Sequence, residues 1–545
     1  MWKRSESLGE FPIRRARPDG QAGARRIPAW FCLGGLWLVS TLGLSGCAVG
    51  PDFVRPQPPA ASQYTQGKEP TQTVAADQQV QHFALGAKIA EDWWRLFKSP
   101  KLDQMIKDAV AENLSLQSAQ ARLRQSQENL RAGYGVFFPQ VSASFNPTRQ
   151  KFSPAKFGSA ATPSIFSLYT LTGTVSYLLD IFGGQRRTVE GLAAQADYQN
   201  YTAQATYLTL LGNVVNAAVA QAAYRAEIEA TEQIIAFEKE QLRLTETQFK
   251  AGTVPYSTVV SIQSQLAATE ATLPPLRLNL NKTQHLLAAL AGRTPAEWAA
   301  PRLELADFTL PLELPVTLPS ALARQRPDIL AAEATLHSAS ANIGVATAAL
   351  FPSVTLSGNL GQNSSDLAKL FAGPANFYSF GATLATPVFQ GGSLWFQRKA
   401  AMQAYEASLT DYRQVVVSAF QQVADTLRAV EHDAETLQAQ AAALAAAGEA
   451  LQLLKTNYAA GLVNYLQILT ADNAYQQARL GYIQAQALRL QDTAALFIAL
   501  GGGWWNPQTQ TGKNDLPRPS KTGMASADRS PQPASDKLPG ETSAR

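Results

Sequence analysis

Residues 169–179 read Tyr-Thr-Leu-Thr-Gly-Thr-Val-Ser-Tyr-Leu-Leu, so that Tyr169, Leu171, Val175, Tyr177 and Leu179 alternate with Thr170, Thr172, Thr174 and Ser176. A period of two is that of a β-strand whose two faces meet different surroundings. The polar face here is made of hydroxyls, with no charge. The same pattern recurs three times: Val141, Ala143 and Phe145 against Ser142, Ser144 and Asn146; Val354, Leu356 and Leu360 against Ser353, Thr355, Ser357 and Asn359; and Tyr378, Phe380 and Leu384 against Ser379, Gly381 and Thr383. Strands of about 9–11 residues, apolar outside and polar inside, fit an outer-membrane β-barrel; a soluble sandwich with one wet face carries the same alternation. Four strands cannot close a barrel, because bacterial outer-membrane barrels start at about eight strands. Open edges in lipid would leave backbone groups unpaired at several kcal/mol each. The chain is therefore expected to oligomerise, with a strand total of eight, twelve or sixteen.

Outward from the strands, landmarks recur at offsets of roughly 210 residues, the mark of a tandem repeat. Phe138-Pro139 matches Phe351-Pro352, Phe182-Gly183-Gly184 resembles Phe389-Gln390-Gly391-Gly392, Phe249-Lys250-Ala251-Gly252-Thr253-Val254 parallels Tyr458-Ala459-Ala460-Gly461-Leu462-Val463, and Leu287–Gly292 parallels Phe497–Gly502. Each repeat reads helix, strand, loop, strand, long helix, turn, helix. Residues 187–250 and 393–459 are long Ala/Gln/Leu-rich stretches almost free of Pro and Gly, each about 100 Å long at 1.5 Å per residue. The shorter stretches 101–134 with 256–291, and 319–349 with 463–500, sum to about the same height. That arithmetic describes a helical cylinder, and helices this long need lateral neighbours.

The 545 residues carry 46 Lys/Arg and 42 Asp/Glu. Residues 1–46 hold seven of the basic and three of the acidic residues, so the rest of the chain, with 39 of each, is neutral and does not read as a nucleic-acid binder. Arg25-Arg26 precede the apolar run Leu33–Leu44, too short for a bilayer span of about 20 residues. Followed by Ser45-Gly46-Cys47, it reads as a secretory signal, and Leu44-Ser45-Gly46-Cys47 looks like a lipobox in which Cys47 is lipidated. Ala48 in place of Asp points to release to the outer membrane. Cys32 would leave with the signal, so no disulfide is expected. The four histidines (His82, His285, His337, His432) are scattered, and no metal cluster or nucleophile–base set is visible; no enzyme activity, cofactor or metal is expected. Glu227, Glu229, Glu232, Glu238 and Glu240 read as surface charges of a long helix. The expected divisions are 1–46 signal, 47–100 lipidated strap, 101–292 first repeat, 293–318 linker, 319–505 second repeat and 506–545 a disordered tail rich in Pro, Ser, Lys and Asp.

Cys47-Ala48-Val49-Gly50-Pro51-Asp52-Phe53, Trp93-Trp94 with Phe97, Leu179-Asp180-Ile181-Phe182-Gly183 leading into Arg186-Arg187, Ala251–Tyr256, Arg326-Pro327-Asp328 and Ala499–Trp504 together resemble the TolC-like outer-membrane factors, in the NodT-type lipoprotein branch that serves RND efflux pumps. The resemblance covers nearly the whole mature chain. It implies a mixed α/β membrane protein: a homotrimer with a 12-stranded transmembrane β-barrel, four strands per chain, on a long α-helical periplasmic barrel. It further implies a passive exit duct coupled through a periplasmic adaptor (membrane fusion protein) to an inner-membrane RND transporter, anchored by lipid at Cys47 in the outer membrane of a Gram-negative bacterium. A type I secretion duct and a non-pore scaffold lipoprotein are the alternatives. The helix–helix turns at Gly252, Thr253, Val254 and Pro255 and at Gly461, Leu462 and Val463 would form the periplasmic tip that meets the adaptor. Relatives often carry Leu-Leu-Asp-Ala-Gln-Arg at the gate, where this chain has Ile468-Leu469-Thr470-Ala471-Asp472-Asn473. Thr470 thus replaces the Asp and Asn473 the Arg. Leu466 is expected to form an apolar ring that closes by dewetting, while Asp472, about 200° round the helix from Thr470, lines either the lumen or a solvated or interprotomer face.

Overall fold

The computed structural model describes residues 48–505 except 62, 68, 154–157 and 159–161. Cys47, the signal and the tail beyond Trp505 lie outside the described residues. The elements in chain order are β1 (His82–Leu85), α1 (Pro100–Glu112), α2 (Leu114–Gly133), β2 (Gln140–Phe152), β3 (Ser164–Leu179), α3 (Gly184–Lys250), α4 (Tyr256–Glu270), α5 (Leu273–Leu290), β4 (Glu313–Val316), α6 (Pro319–Leu322), α7 (Pro327–Ala348), β5 (Ser353–Ser364), β6 (Asn376–Ala385), α8 (Ser393–Ala459) and α9 (Tyr465–Ala499). Helices α3 and α8 each run 67 residues without interruption.

The shorter helical stretches are broken where one continuous helix was expected. Asn113 ends α1 and caps α2, its Oδ1 accepting from the Leu116 N–H at 2.9 Å. Pro274 and Pro275 force a new start at Leu273, since their rings forbid continuation from the turn before. Pro327 likewise separates α6 from α7. Among the described residues, no helix is long and apolar enough to cross a membrane.

Strands β2, β3, β5 and β6 form one antiparallel sheet in the order β2-β3-β5-β6. Its register keeps every alternation in phase. Val141 lies opposite Val175, Tyr177 opposite Leu356, Val354 opposite Leu384, and Leu360 opposite Tyr378, all on one face. Ser142, Thr174, Asn359 and Ser379 make a rung on the other. The Thr174 hydroxyl donates to Asn359 Oδ1 at 2.9 Å, and Asn359 Nδ2 donates to Ser379 Oγ at 3.2 Å. A one-residue slip on any strand would mix the two faces. The outer strands β2 and β6 each leave one edge unpaired within the chain.

The main core sits at the waist of the helical body. Trp93, Phe97, Leu102, Ile106, Val215, Ala218, Leu287, Leu303, Leu314, Val423 and Val430 are among its fully or almost fully buried members, and Trp93 stacks on Phe497 with ring centroids 5.2 Å apart. Val215 and Val423 fall near the middles of their 67-residue helices. The strap and linker stretches meet here: β1 and β4 pair in parallel, His82 opposite Glu313. Two of the glutamates expected at the surface are instead buried. Glu227 and Glu238 are 4% and 3% exposed, because they fall on the same stripe of α3 as Ala230, Thr231, Ile234 and Ile235, which faces its neighbours rather than solvent.

Candidate functional site

Where β3 runs into α3, the first described residues of the chain are clasped to the corner. The Val49 N–H donates to the Phe182 carbonyl at 3.0 Å. Arg187, itself 5% exposed, donates from Nη2 to Asp52 Oδ1 at 2.6 Å, from Nη1 to Glu190 Oε2 at 2.7 Å and from Nε to the Val49 carbonyl at 3.4 Å. Glu190 also meets His337 Nε2 at 2.9 Å, and the His337 ring stacks on Phe53 at 4.3 Å. Arg55 bonds Glu333 at 2.6 Å. Glycine is required at Gly50: a Cβ there would fall 2.5 Å from the Gly344 Cα, and Gly50 has φ +95°. Residue 48 is thereby held at the end of the sheet, one residue from the candidate lipidation site.

At the opposite end, the two helix–helix turns have the same construction. Gly252 and Gly461 sit at φ 73° and 74°. The Gly252 and Thr253 N–H groups donate to the Phe249 and Gln248 carbonyls, and the Gly461 and Leu462 N–H groups donate to those of Tyr458 and Asn457. This is the paired 6→1 and 5→2 pattern that ends a helix through a left-handed glycine. Pro255 and Asn464 then start the return helices, Asn464 with its side chain accepting from the Gln467 N–H. Each turn carries an aromatic pair, Phe249 with Tyr256 and Tyr458 with Tyr465. Gly252, Thr253, Pro255, Gly461 and Leu462 are exposed, and Val254 and Val463 are half-buried.

The candidate gate residues divide. Leu466 is 65% exposed and Thr470 is exposed, its hydroxyl returned to the Leu466 carbonyl at 2.9 Å. Asp472 is 6% exposed and does not present a carboxylate to solvent; it points into the seam among α3, α4 and α9. Gln476 Nε2 donates to Asp472 Oδ2 at 2.5 Å and lies 3.5 Å from Glu238 Oε1, which also accepts from the Thr269 hydroxyl at 3.0 Å. Burial raises the Asp472 pKa from its ordinary value. Gln476 opposes that shift, Glu238 adds to it, and Lys455 opposes it. Asn473 makes a reciprocal amide pair with Gln265 of α4, at 2.5 and 3.3 Å. The buried glutamates were legible in principle: Glu227, Ala230, Thr231, Ile234 and Glu238 follow the i, i+3, i+4, i+7, i+11 spacing of one helix face. Among the described residues, no group of three or more His, Cys, Asp and Glu is placed to hold a metal.

A two-faced sheet with open edges, set on paired helices about 100 Å long, defines a protomer of the outer-membrane channel class. The model of the outer membrane efflux protein family matches this sequence twice, at residues 105–293 and 318–502, and the chain belongs to that family. It is 31% identical over 478 residues to the toluene efflux pump outer membrane protein TtgC of Pseudomonas putida, covering 87% of this chain and 96% of that one. It is 29% identical over 449 residues to the pyoverdine export outer membrane protein OpmQ of Pseudomonas aeruginosa, covering 81% and 94%. The solved outer-membrane channel OprN superposes with a TM-score of 0.76 at 27% identity, over 84% of this chain and all of that one.

Proposed function

We propose that three copies of this chain share one 12-stranded β-barrel in the outer membrane and one helical tunnel in the periplasm, forming the passive exit duct of a tripartite efflux system. The observation that carries this reading is the sheet. Its apolar and hydroxyl faces stay in register over four strands, and it offers two edges that only neighbouring copies can satisfy in lipid. The two matches to the family model support a tandem duplication. The clasp at Arg187 sets residue 48 at the membrane end of the helices, where a lipid on Cys47 would enter the inner leaflet. The exposed turns Gly252–Pro255 and Gly461–Val463 are the surface offered to a periplasmic adaptor, which would couple the duct to an inner-membrane RND transporter. Leu466 is the residue placed to close the duct near that tip. Relatives about 30% identical to this chain are named for cargoes as different as toluene and pyoverdine, which fits a duct whose selectivity lies in the pump.

The test is reconstitution. Protein purified in mild detergent should have the mass of a trimer and insert into planar bilayers as discrete channels, and Leu466→Ser should raise the open fraction. A monomer that forms no channels would overturn the reading.

A further inference from the structure

The four strands of the sheet carry two charged residues between them, Arg149 and Lys151, and both fall on the apolar face. Along β2 that face reads Val141, Ala143, Phe145, Pro147, Arg149, Lys151. On three strands the same face changes from apolar to polar toward the end away from the helices, Pro147 to Arg149 on β2, Leu360 to Gln362 on β5 and Tyr378 to Asn376 on β6, and on β3 Tyr169 gives way to Ser167 before a terminal Ile165. The apolar part spans seven to eleven positions, about 20–33 Å of strand. With the tilt of outer-membrane barrels it matches their lipid-facing band of about 25 Å. Tyr169 and Tyr378 mark its rim, as interfacial aromatics do. Arg149 lies opposite Ser167 and Lys151 opposite Ile165, both cations are exposed, and neither has an ion-pair partner among the described residues.

Charge in a duct would be expected on the polar face, where it is hydrated. Here that face is uncharged along all four strands, and both cations stand at the outer edge of the lipid-facing band. Two cations two residues apart on a strand project side by side, about 7 Å apart, a spacing suited to the oxygens of a phosphorylated headgroup. Guanidinium in particular pairs with phosphate through two parallel hydrogen bonds. We infer that Arg149 and Lys151 form an outer-leaflet site for the phosphates of an anionic glycolipid, repeated on each copy around the barrel. The inference rests on the proposed duct, because that reading puts this end of the sheet at the outer leaflet.

The experiment uses delipidated full-length protein, wild type and the Arg149→Gln/Lys151→Gln double variant, titrated separately with lipid A, phosphatidylethanolamine and inorganic phosphate while the melting of the assembly is followed. Wild type should be stabilised by lipid A and by neither of the others. At about 1 kcal/mol per surface cation, the double variant should bind lipid A roughly thirtyfold more weakly, and the difference should shrink in high salt. An equal lipid A response in both proteins, or the same stabilisation by phosphate alone or by phosphatidylethanolamine, would overturn the assignment. Bilayer conductance is recorded on the same preparations. Normal channels in both proteins with no lipid A difference refute the headgroup site alone; no channels in either refute the duct and this site with it.

Discussion

Arg187→Met separates the packing of the N-terminal clasp from its charge. In the wild type the Arg187 stem lies across Gly344, where a Cβ would come within 2.7 Å of Arg187 Cγ; methionine keeps that stem and removes the guanidinium. Three bonds go: to Asp52, to Glu190 and to the Val49 carbonyl. The Asp52 side chain is 91% exposed, so its pair contributes about 0.2–1 kcal/mol despite its length. The Glu190 bond lies within α3 and does not hold the strap, and Glu190 keeps His337 as a partner. The long bond to the Val49 carbonyl adds about 0.5–1.5 kcal/mol. The two bonds to the strap together hold it by about 0.7–2.5 kcal/mol, so residues 48–55 should open roughly three- to seventyfold more often. Amide hydrogen exchange reads this directly. The Val49 N–H should exchange roughly three- to seventyfold faster, while the amides of β3 and of the waist around Val215 stay unchanged. Unchanged exchange at Val49 would refute the assignment of Arg187 as the clasp. Global acceleration would show that Arg187 supports the fold as a whole rather than the strap.

Three further outcomes follow from the same geometry. Asp472→Asn should stabilise the protein near pH 7 and lose that advantage on acidification: with its pKa raised by burial, the native carboxyl favours folding below the unfolded value near 4 and loses that contribution as pH rises through the folded value. Melting of wild type and variant across pH 4–8 checks the sign. Gly461→Ala should cost about 1–2 kcal/mol, because its φ is 74° and no heavy atom lies within 4 Å of the added methyl, so the cost is conformational alone; denaturant unfolding measures it. Arg326→Met should cost about 2–4 kcal/mol, since Arg326 is 8% exposed and its guanidinium donates to the Ala499 carbonyl at 2.8 Å, to Gln422 and to Asp328. Calorimetry should show a lowered melting temperature, with exchange accelerated first at the end of α9.

The sheet and the two long helices were legible because each rests on a strict period: two for the strands, and unbroken helix formers over more than sixty residues. The breaks at Asn113 and Leu273 were less so. An asparagine or a proline pair within an otherwise helical run reads as a single local penalty until the neighbours that satisfy the new ends are known, as when Asn113 Nδ2 reaches the Leu290 carbonyl at 2.9 Å. Asp472 was the hardest residue to place. Position on its own helix leaves several faces open, and the choice was made by Glu238 and Thr269, more than two hundred positions away in sequence. The small sheet of β1 and β4 was hidden for the same reason, since two four-residue strands gain their meaning only by pairing across 231 positions.

The distribution of apolar and polar contacts along the helices argues for where such a body can move. At the waist, large aromatic and aliphatic side chains with almost no exposed surface join seven helices and the β1–β4 sheet, and opening that core would expose surface at about 25 cal/mol per Å². Toward the tips the buried apolar residues are fewer and smaller: Val259, Ile262 and Leu266 on α4, and Leu451, Ile468 and Ala471 with partly buried tyrosines around them. What joins the two hairpins there is the Gln265–Asn473 amide pair, the Gln476 bridge between Asp472 and Glu238, and a Lys455 ammonium 4.0 Å from the Phe237 ring centre. Each of these groups can exchange its partner for water, at a net cost of about 0.5–1.5 kcal/mol for a typical hydrogen bond. In the proposed duct, a well-packed waist with tips held partly by exchangeable polar bonds is the condition under which the tip can open while the sheet and the core stay as they are. Glu238 Oε2, buried and without a hydrogen-bond partner among the described residues, leaves this joint less fully satisfied than the number of its contacts implies, and in the proposed duct that lowers the cost of parting the two hairpins at the tip.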